Sequence, residues 1–141
     1  MQIGVDSQRA VENKRVFIID TDEVSGMALQ FMLADDNETH VLPGVSAVLE
    51  KGRDWPPDLI LLGAGVISAE GAEWVGRFKS RFPGVKIVVV CDSADAPEVK
   101  GALAQGANSA LLRPLKIEAV RRKVDTQLGR RVGLAIPVVP V

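Results

Sequence analysis

Residues Arg15–Asp20 read RVFIID, with four successive apolar positions, Val16 to Ile19, closing on a carboxylate. A strand exposed on one face alternates apolar and polar side chains. An unbroken apolar run suits a strand buried on both faces, as in a parallel sheet lying between two layers of helix. The segments on either side repeat the theme, because short β-prone runs alternate with longer stretches of helical period. After RVFIID, the residues Val24, Met27, Ala28, Phe31 and Met32 fall on one helical stripe, with Asp22 or Glu23 at the start where a carboxylate favours the helix dipole. This stripe is the expected buried face of the first helix.

Four further strand–helix units follow. A short second strand is expected over Thr39–Leu42, closed by Pro43-Gly44, and its weakness suits a sheet edge. The next helix carries Val45, Val48 and Leu49 as far as Gly52. Trp55-Pro56-Pro57 then blocks helix and leads into a third strand, Asp58–Leu62. Gly63 to Ile67 reads as a loop. Val75, Phe78 and Phe82 mark one face of a third helix that stops at Pro83-Gly84, and Val85–Val90 is the most β-prone run of the chain. Pro97 opens a fourth helix presenting Val99, Leu103 and Ala107, with Gly106 placed to end it. Ser109–Leu112 is the fifth strand, and Ile117, Val120, Val124 and Leu128 form the stripe of the fifth helix before Gly129.

Composition agrees with one such domain. The chain has 141 residues, 47% hydrophobic and 25% charged, enough for one core without a disulfide or a structural metal. One cysteine (Cys91) and one histidine (His40) supply no metal cluster, and a lone thiol points to a reducing, cytoplasmic setting. The formal charge of −1 gives no global pull toward nucleic acid or anionic lipid. Residues 1–14 are polar and mixed in charge, without the apolar run of a signal peptide or membrane span. The expected organisation is an N-terminal extension over 1–14, one domain over 15–128 and a C-terminal tail or linker over 129–141.

In a doubly wound sheet the functional crevice lies beyond the carboxyl ends of the strands. The residues just past those ends are Asp20-Thr21-Asp22, Gly63, Cys91-Asp92 and Arg113-Pro114. There the chain resembles the response-regulator receiver (CheY-like) family. IIDTDE (18–23) is similar to the acidic turn after a receiver's first strand, PDLILLG (57–63) to the run leading to the phosphoacceptor, and GANSALLRP (106–114) to the segment ending in lysine-proline. The resemblance covers about residues 15–128. It implies a flavodoxin-like α/β fold, a doubly wound five-stranded parallel sheet of order 2-1-3-4-5 with helices on both faces.

The resemblance also implies where the chemistry should be, and the sequence departs from it there. Receivers accept a phosphoryl group on an aspartate, with Mg²⁺, a lysine and a small hydroxyl residue in support. At those positions stand Gly63 for the acceptor, Asp20 for the first acidic residue, Thr21 for the second with its charge displaced to Asp22, Cys91 for the hydroxyl residue and Arg113 for the lysine. Ala110 stands at the aromatic switch position. Glycine has no side chain, so no acyl phosphate can form at 63. The expectation is a degenerate phosphorylation pocket (Asp20, Thr21, Asp22, Gly63, Cys91, Arg113) in a non-enzymatic pseudo-receiver that needs no cofactor and binds neither nucleic acid nor membrane. It would act through a protein partner or as a homodimer, using the face of the fourth helix, fifth strand and fifth helix around Glu98, Lys100 and Arg121.

Two other readings stay open on the sequence. The vacated crevice could bind a small ligand, since glycines allow close backbone approach, or the domain could be phosphorylated at a non-standard residue such as Asp20 or Asp22. Asp20 and Asp22 are also the weak candidates for a cation site, although a solvated helix-start turn has the same residues. Cys91 reads as a buried small hydrophobe rather than a reactive thiol. Arg121, Arg122, Lys123, Arg130 and Arg131 read as a solvated basic face, and His40 as a surface residue. Trp55 is expected to pack the loop before the third strand, and Trp74 to join the core with partial exposure.

Overall fold

The structure, a computed structural model, describes residues 13–130. Most of the expected extension (1–14) and tail (129–141) lies outside the described residues. Five strands and six helices follow in order: β1 (Lys14–Ile19), α1 (Glu23–Leu33), β2 (Asn37–Val41), α2 (Val45–Asp54), β3 (Leu59–Gly63), α3 (Ala64–Glu70), α4 (Glu73–Arg81), β4 (Lys86–Cys91), α5 (Pro97–Ala104), β5 (Ser109–Leu112) and α6 (Ile117–Gln127). All strand pairings are parallel, and the sheet order is β2-β1-β3-β4-β5. The doubly wound five-stranded sheet expected from the sequence is therefore present, with strand ends shifted by up to two residues.

Alternate strand residues feed two cores. Phe17, Ile19, Ile60, Leu62, Ile87 and Val89 meet α2, α3, α4 and α5 on one face. Val16, Ile18, Leu59, Leu61, Val88 and Val90 meet α1 and α6 on the other. β1, β3 and β4 are thus buried on both sides, which is why their sequences run apolar without alternation. β2 is an edge strand and mostly half-exposed. Among the described residues no helix is long and apolar enough to cross a membrane.

Three expectations are corrected. The segment after Gly63 is the helix α3, not a loop; Ala64, Val66 and Ile67 are buried, and Gly71 at φ 104° ends it. In α5 the buried residues are Val99 and Ala102, whereas Leu103 is exposed. The largest correction concerns α1, whose expected buried stripe faces outward. Val24, Met27 and Phe31 are 74%, 68% and 80% exposed. Ser25, Gly26, Leu29 and Leu33 face the sheet instead, while Ala28 and Met32 are half-buried at the border. A Cβ at Gly26 would stand at ordinary contact distance, 3.5 Å, from Val41 Cγ1, so this side of α1 packs against β2.

Peripheral residues follow simpler rules. His40 is half-buried, its ring set T-shaped against Phe17, and shares a 2.7 Å hydrogen bond with Glu38. Glu38 also accepts from Arg15 Nε at 2.7 Å. Those two bonds, Arg15's first, hold the Glu38 carboxyl at about 2. Trp55 is largely exposed with one face under the Arg15 guanidinium, so it packs the loop less than expected. Trp74 is half-buried between Phe78 and Arg77.

Candidate functional site

The turns at the carboxyl ends of β1, β3, β4 and β5 bring the sequence candidates together. β1 delivers Asp20, Thr21 and Asp22, β3 ends on Gly63, β4 ends on Cys91 with Asp92 beyond, and β5 leads to Arg113. Between them lies a crevice of about 490 Å³ lined by Thr21, Asp22, Gly65, Cys91, Asp92 and Arg113, among others. Ala110 is half-buried and packs into the core beside it.

Asp20 is the centre of the arrangement. Its side chain is only 2% exposed, and Arg113 Nη2 donates to its Oδ2 at 2.9 Å. The backbone N–H of Asp22 donates to Oδ1 at 3.0 Å. Arg113 Nε donates to Ser25 Oγ at 3.0 Å, and Ser25 Oγ donates to Asp22 Oδ2 at 2.7 Å. The four residues therefore close a ring of hydrogen bonds: Asp20, Arg113, Ser25, Asp22 and back to Asp20. A buried carboxylate is tolerated when it is paired and its lone pairs are filled, and this ring does both. At the rim Arg113 Nη1 also reaches Asp92 Oδ1 at 3.3 Å, but Asp92 is well exposed and that contact contributes little.

Burial opposes the charge of Arg113, yet the neighbouring Asp20 and Asp92 carboxylates outweigh it and raise its pKa above the ordinary value. Asp22 also caps α1, accepting from Val24 N at 3.2 Å. The Ser25 hydroxyl, first, and that backbone bond lower the Asp22 carboxyl below its usual range. Cys91 is a buried free cysteine, and burial raises its thiol pKa, leaving it in the unreactive protonated form.

The two glycines on β3 and α3 answer to these side chains. A Cβ built on Gly63 would lie 2.5 Å from Asp20 Oδ1 and 2.6 Å from its Cγ, closer than any side chain allows. The Asp20 carboxylate thus fills the space into which a residue at 63 would project. Gly65 stands in the same relation to Thr21 Oγ1, which a Cβ there would overlap. A side chain at either position would displace its neighbour from the place it holds, and Gly63 itself has an ordinary backbone angle (φ −68°).

This donor set does not fit the Mg²⁺ that the fold family uses. Asp20 offers its oxygens to a guanidinium and an N–H, Asp22 offers its own to the first turn of α1, and Gly63 has none. Among the described residues no group of three or more His, Cys, Asp and Glu is gathered for a metal. Ser25 was the residue that sequence reasoning missed. Its signal was its place three residues after the Asp22 cap, where a polar side chain can close the first turn.

The expected partner face is altered in detail. Lys100, Leu103 and Leu112 are exposed, but Glu98 is half-buried at the crevice. Arg121 turns the other way, donating to Met32 O of α1 at 3.0 Å and approaching Asp35. The basic cluster is divided among local bonds, with Lys123 on Ser109 and Arg130 on Asp125.

No family model matches the chain. It is 32% identical over 113 residues to a protein-glutamate methylesterase/protein-glutamine glutaminase of Methanospirillum hungatei, covering 76% of this chain and 33% of that protein. It is 25% identical over 120 residues to the response regulator protein VraR of Staphylococcus saprophyticus, covering 80% of this chain and 57% of that one. The chain thus spans from a third to just over half of the length of these relatives. A response regulator from Thermotoga maritima superimposes with a TM-score of 0.75 at 17% identity, over 83% of this chain and 98% of that one. A CheY-like receiver domain protein from Methanospirillum hungatei does so at 0.73 and 21%, over 83% and 94%. The fold is that of response-regulator receivers, and a response regulator is among the proteins to which the sequence is similar.

Proposed function

We propose that this domain is a receiver-type signalling module that works without phosphoryl transfer, through contact with a protein partner or a second copy. One observation carries the reading: the Asp20 carboxylate, bonded to Arg113, fills the space at Gly63 where a phosphoacceptor would project. An acceptor aspartate needs an exposed carboxylate, a cation beside it and a basic group free to meet the incoming phosphoryl oxygens. Here the acceptor is missing, the Asp20 carboxylate is buried, and the basic group is already paired. The module is non-enzymatic on this reading. Its contact surface is the face of α5, β5 and α6, where Leu103 and Leu112 are exposed beside Lys100.

The test is intact-mass spectrometry after incubation with acetyl phosphate and Mg²⁺. No phosphoryl increment is expected in the native chain, nor in Gly63→Asp, where the new side chain collides with Asp20 and neither Thr21 nor Cys91 rebuilds the support. A stoichiometric, hydroxylamine-labile adduct on the native chain would overturn the reading. Contact through the proposed face is checked by light scattering over a range of concentrations, or by titration with a purified receiver or kinase partner. Leu112→Glu should weaken whichever association is found at least tenfold, and an unchanged affinity would move the contact elsewhere.

A further inference from the structure

Eight arginines fall among the described residues, and four of them are tied down: Arg15 to Glu38, Arg113 to Asp20, Arg121 to Met32 O and Arg130 to Asp125. Among the same residues Arg53, Arg77, Arg81 and Arg122 pair with no carboxylate. Three of these four border two adjoining grooves on the four-helix face. The larger, about 720 Å³, is lined by Leu49 of α2, by Gly76, Arg77, Ser80 and Arg81 of α4, and by Gln105 beyond α5. The smaller, about 400 Å³, is lined by Arg53, Pro56, Pro57 and Pro83, and Arg81 borders both.

The larger groove is prepared for acceptors. Arg77 has Glu73 one turn before it, at the spacing of a helical ion pair. That pair does not form. The Glu73 carboxylate, which also borders the groove, lies over Gly71, where a Cβ would come within 2.5 Å of its Oε1. Arg77 lies instead on the Trp74 ring, with Cζ 4.4 Å from the centroid, and Arg81 lies on Phe82 at 5.9 Å. A guanidinium whose flat face rests on a ring keeps its N–H edge for a planar acceptor and loses little freedom in meeting one. Ser80 and Gln105 add a hydroxyl and a carboxamide to the same groove, neither with a side-chain partner among the described residues.

Shape and charge select the occupant. Arg53, Arg77, Ser80, Arg81 and Gln105 are all exposed, so a small molecule held there would stay largely in water, unlike the occupants of ligand pockets. A nucleic-acid strand carries a phosphate at every step and would meet Glu50, Asp54 and Glu73, exposed on the same two helices. Separate carboxylates avoid that conflict. Arg77 and Arg81 are four residues apart, about 6 Å along α4, and alternate side chains of an extended peptide stand about 6.6 Å apart on one face.

We propose that α4 and the end of α2 bind an acidic segment of a partner protein in extended form, with carboxylates at alternate positions on Arg77 and Arg81 and a further one on Arg53. This is a second contact surface, separate from the crevice and from the α5–β5–α6 face. It stands whether or not the domain accepts a phosphoryl group.

The test titrates the full 141-residue chain with the end-blocked peptide Glu-Ser-Glu-Ser-Glu and follows arginine Nε–H and tryptophan indole N–H signals by NMR. The signals of Arg77, Arg81 and Trp74 should shift and saturate, and the peptide Gln-Ser-Gln-Ser-Gln should leave them in place. Arg77→Gln and Arg81→Gln should each weaken binding about fivefold. Arg122→Gln, which removes an unpaired arginine outside these grooves, should change it less than about twofold. Equal weakening by Arg122→Gln would reduce the effect to general charge attraction and overturn the proposal. So would unmoved Arg77 and Arg81 signals at millimolar peptide, or tighter binding of inorganic phosphate or a single-stranded oligonucleotide at those signals, which would assign the grooves to phosphate.

Discussion

The two faces of the sheet differ in how plainly their helices declare which side goes inward. On the four-helix face, α4 reads EWVGRFKSR, and its charges leave one apolar side, Val75 and Phe78, both fully buried. On the two-helix face, α1 reads EVSGMALQFML, and after Glu23 nothing charged marks an outer side. Two stripes compete there. The more apolar, Val24-Met27-Phe31, is exposed, and the one containing Ser25 and Gly26 is buried. The hydrogen bonds of Ser25 to Asp22 and Arg113 hold the second stripe inward. A helix is oriented by its charges when it has them, and by fit when it does not.

Paired substitutions measure that contrast. Phe78→Ala should destabilise by about 4 kcal/mol and Leu29→Ala by about 3 kcal/mol, as fully buried side chains on opposite faces. Phe31→Ala, one half-turn from Leu29, should cost less than about 1 kcal/mol. Urea unfolding reads all three, and equal losses at Leu29 and Phe31 would reverse the assigned orientation of α1. Next in size is the ring that holds α1 to β5. Arg113→Met leaves the Asp20 carboxylate buried without its partner and should cost about 3 kcal/mol. Arg113→Lys keeps one bond and loses the fork, and should recover more than half of that.

Smaller again is the packing of the glycine against Asp20. Gly63→Ala should cost about 2 kcal/mol, falling below about 0.5 kcal/mol in an Asp20→Ala background, because the collision partner is then gone. Additive losses would show that Asp20 is not what excludes a side chain at 63. The smallest effect is at the edge strand. Glu38 titrates at about 2 when folded against an ordinary value of 4.5. A depressed carboxyl stabilises the fold above its unfolded value, so this contribution should be intact above about 4.5 and fade as pH falls toward about 2. Glu38 is more than a third exposed, so the loss should be modest, and Glu38→Gln should flatten stability against pH in that window.

The crevice shows what kind of information a sequence carries about a site. Which strand ends meet was legible, because a doubly wound sheet gathers them; Thr21, Asp22, Cys91 and Arg113 line the crevice, while Asp20 is buried and lies against Gly63. The bonding of the crevice was not legible. Asp20 and Arg113 are 93 residues apart, and nothing local says that one guanidinium would join Asp20, Ser25 and Asp92. Helix α3 escaped for a related reason. Gly65 weakens helix propensity, and the contact it makes with Thr21, from another strand end, is not visible locally.

The sequence by itself determined the strand count, the burial of β1, β3 and β4 on both sides, and the absence of a side chain at the end of β3, Gly63, since these depend on side-chain type and short-range period. Only the tertiary structure decided which stripe of α1 faces the sheet and what fills the space at Gly63. Both are outcomes of competition between groups distant in the chain, settled by approach distance and by the need of a buried charge for a partner.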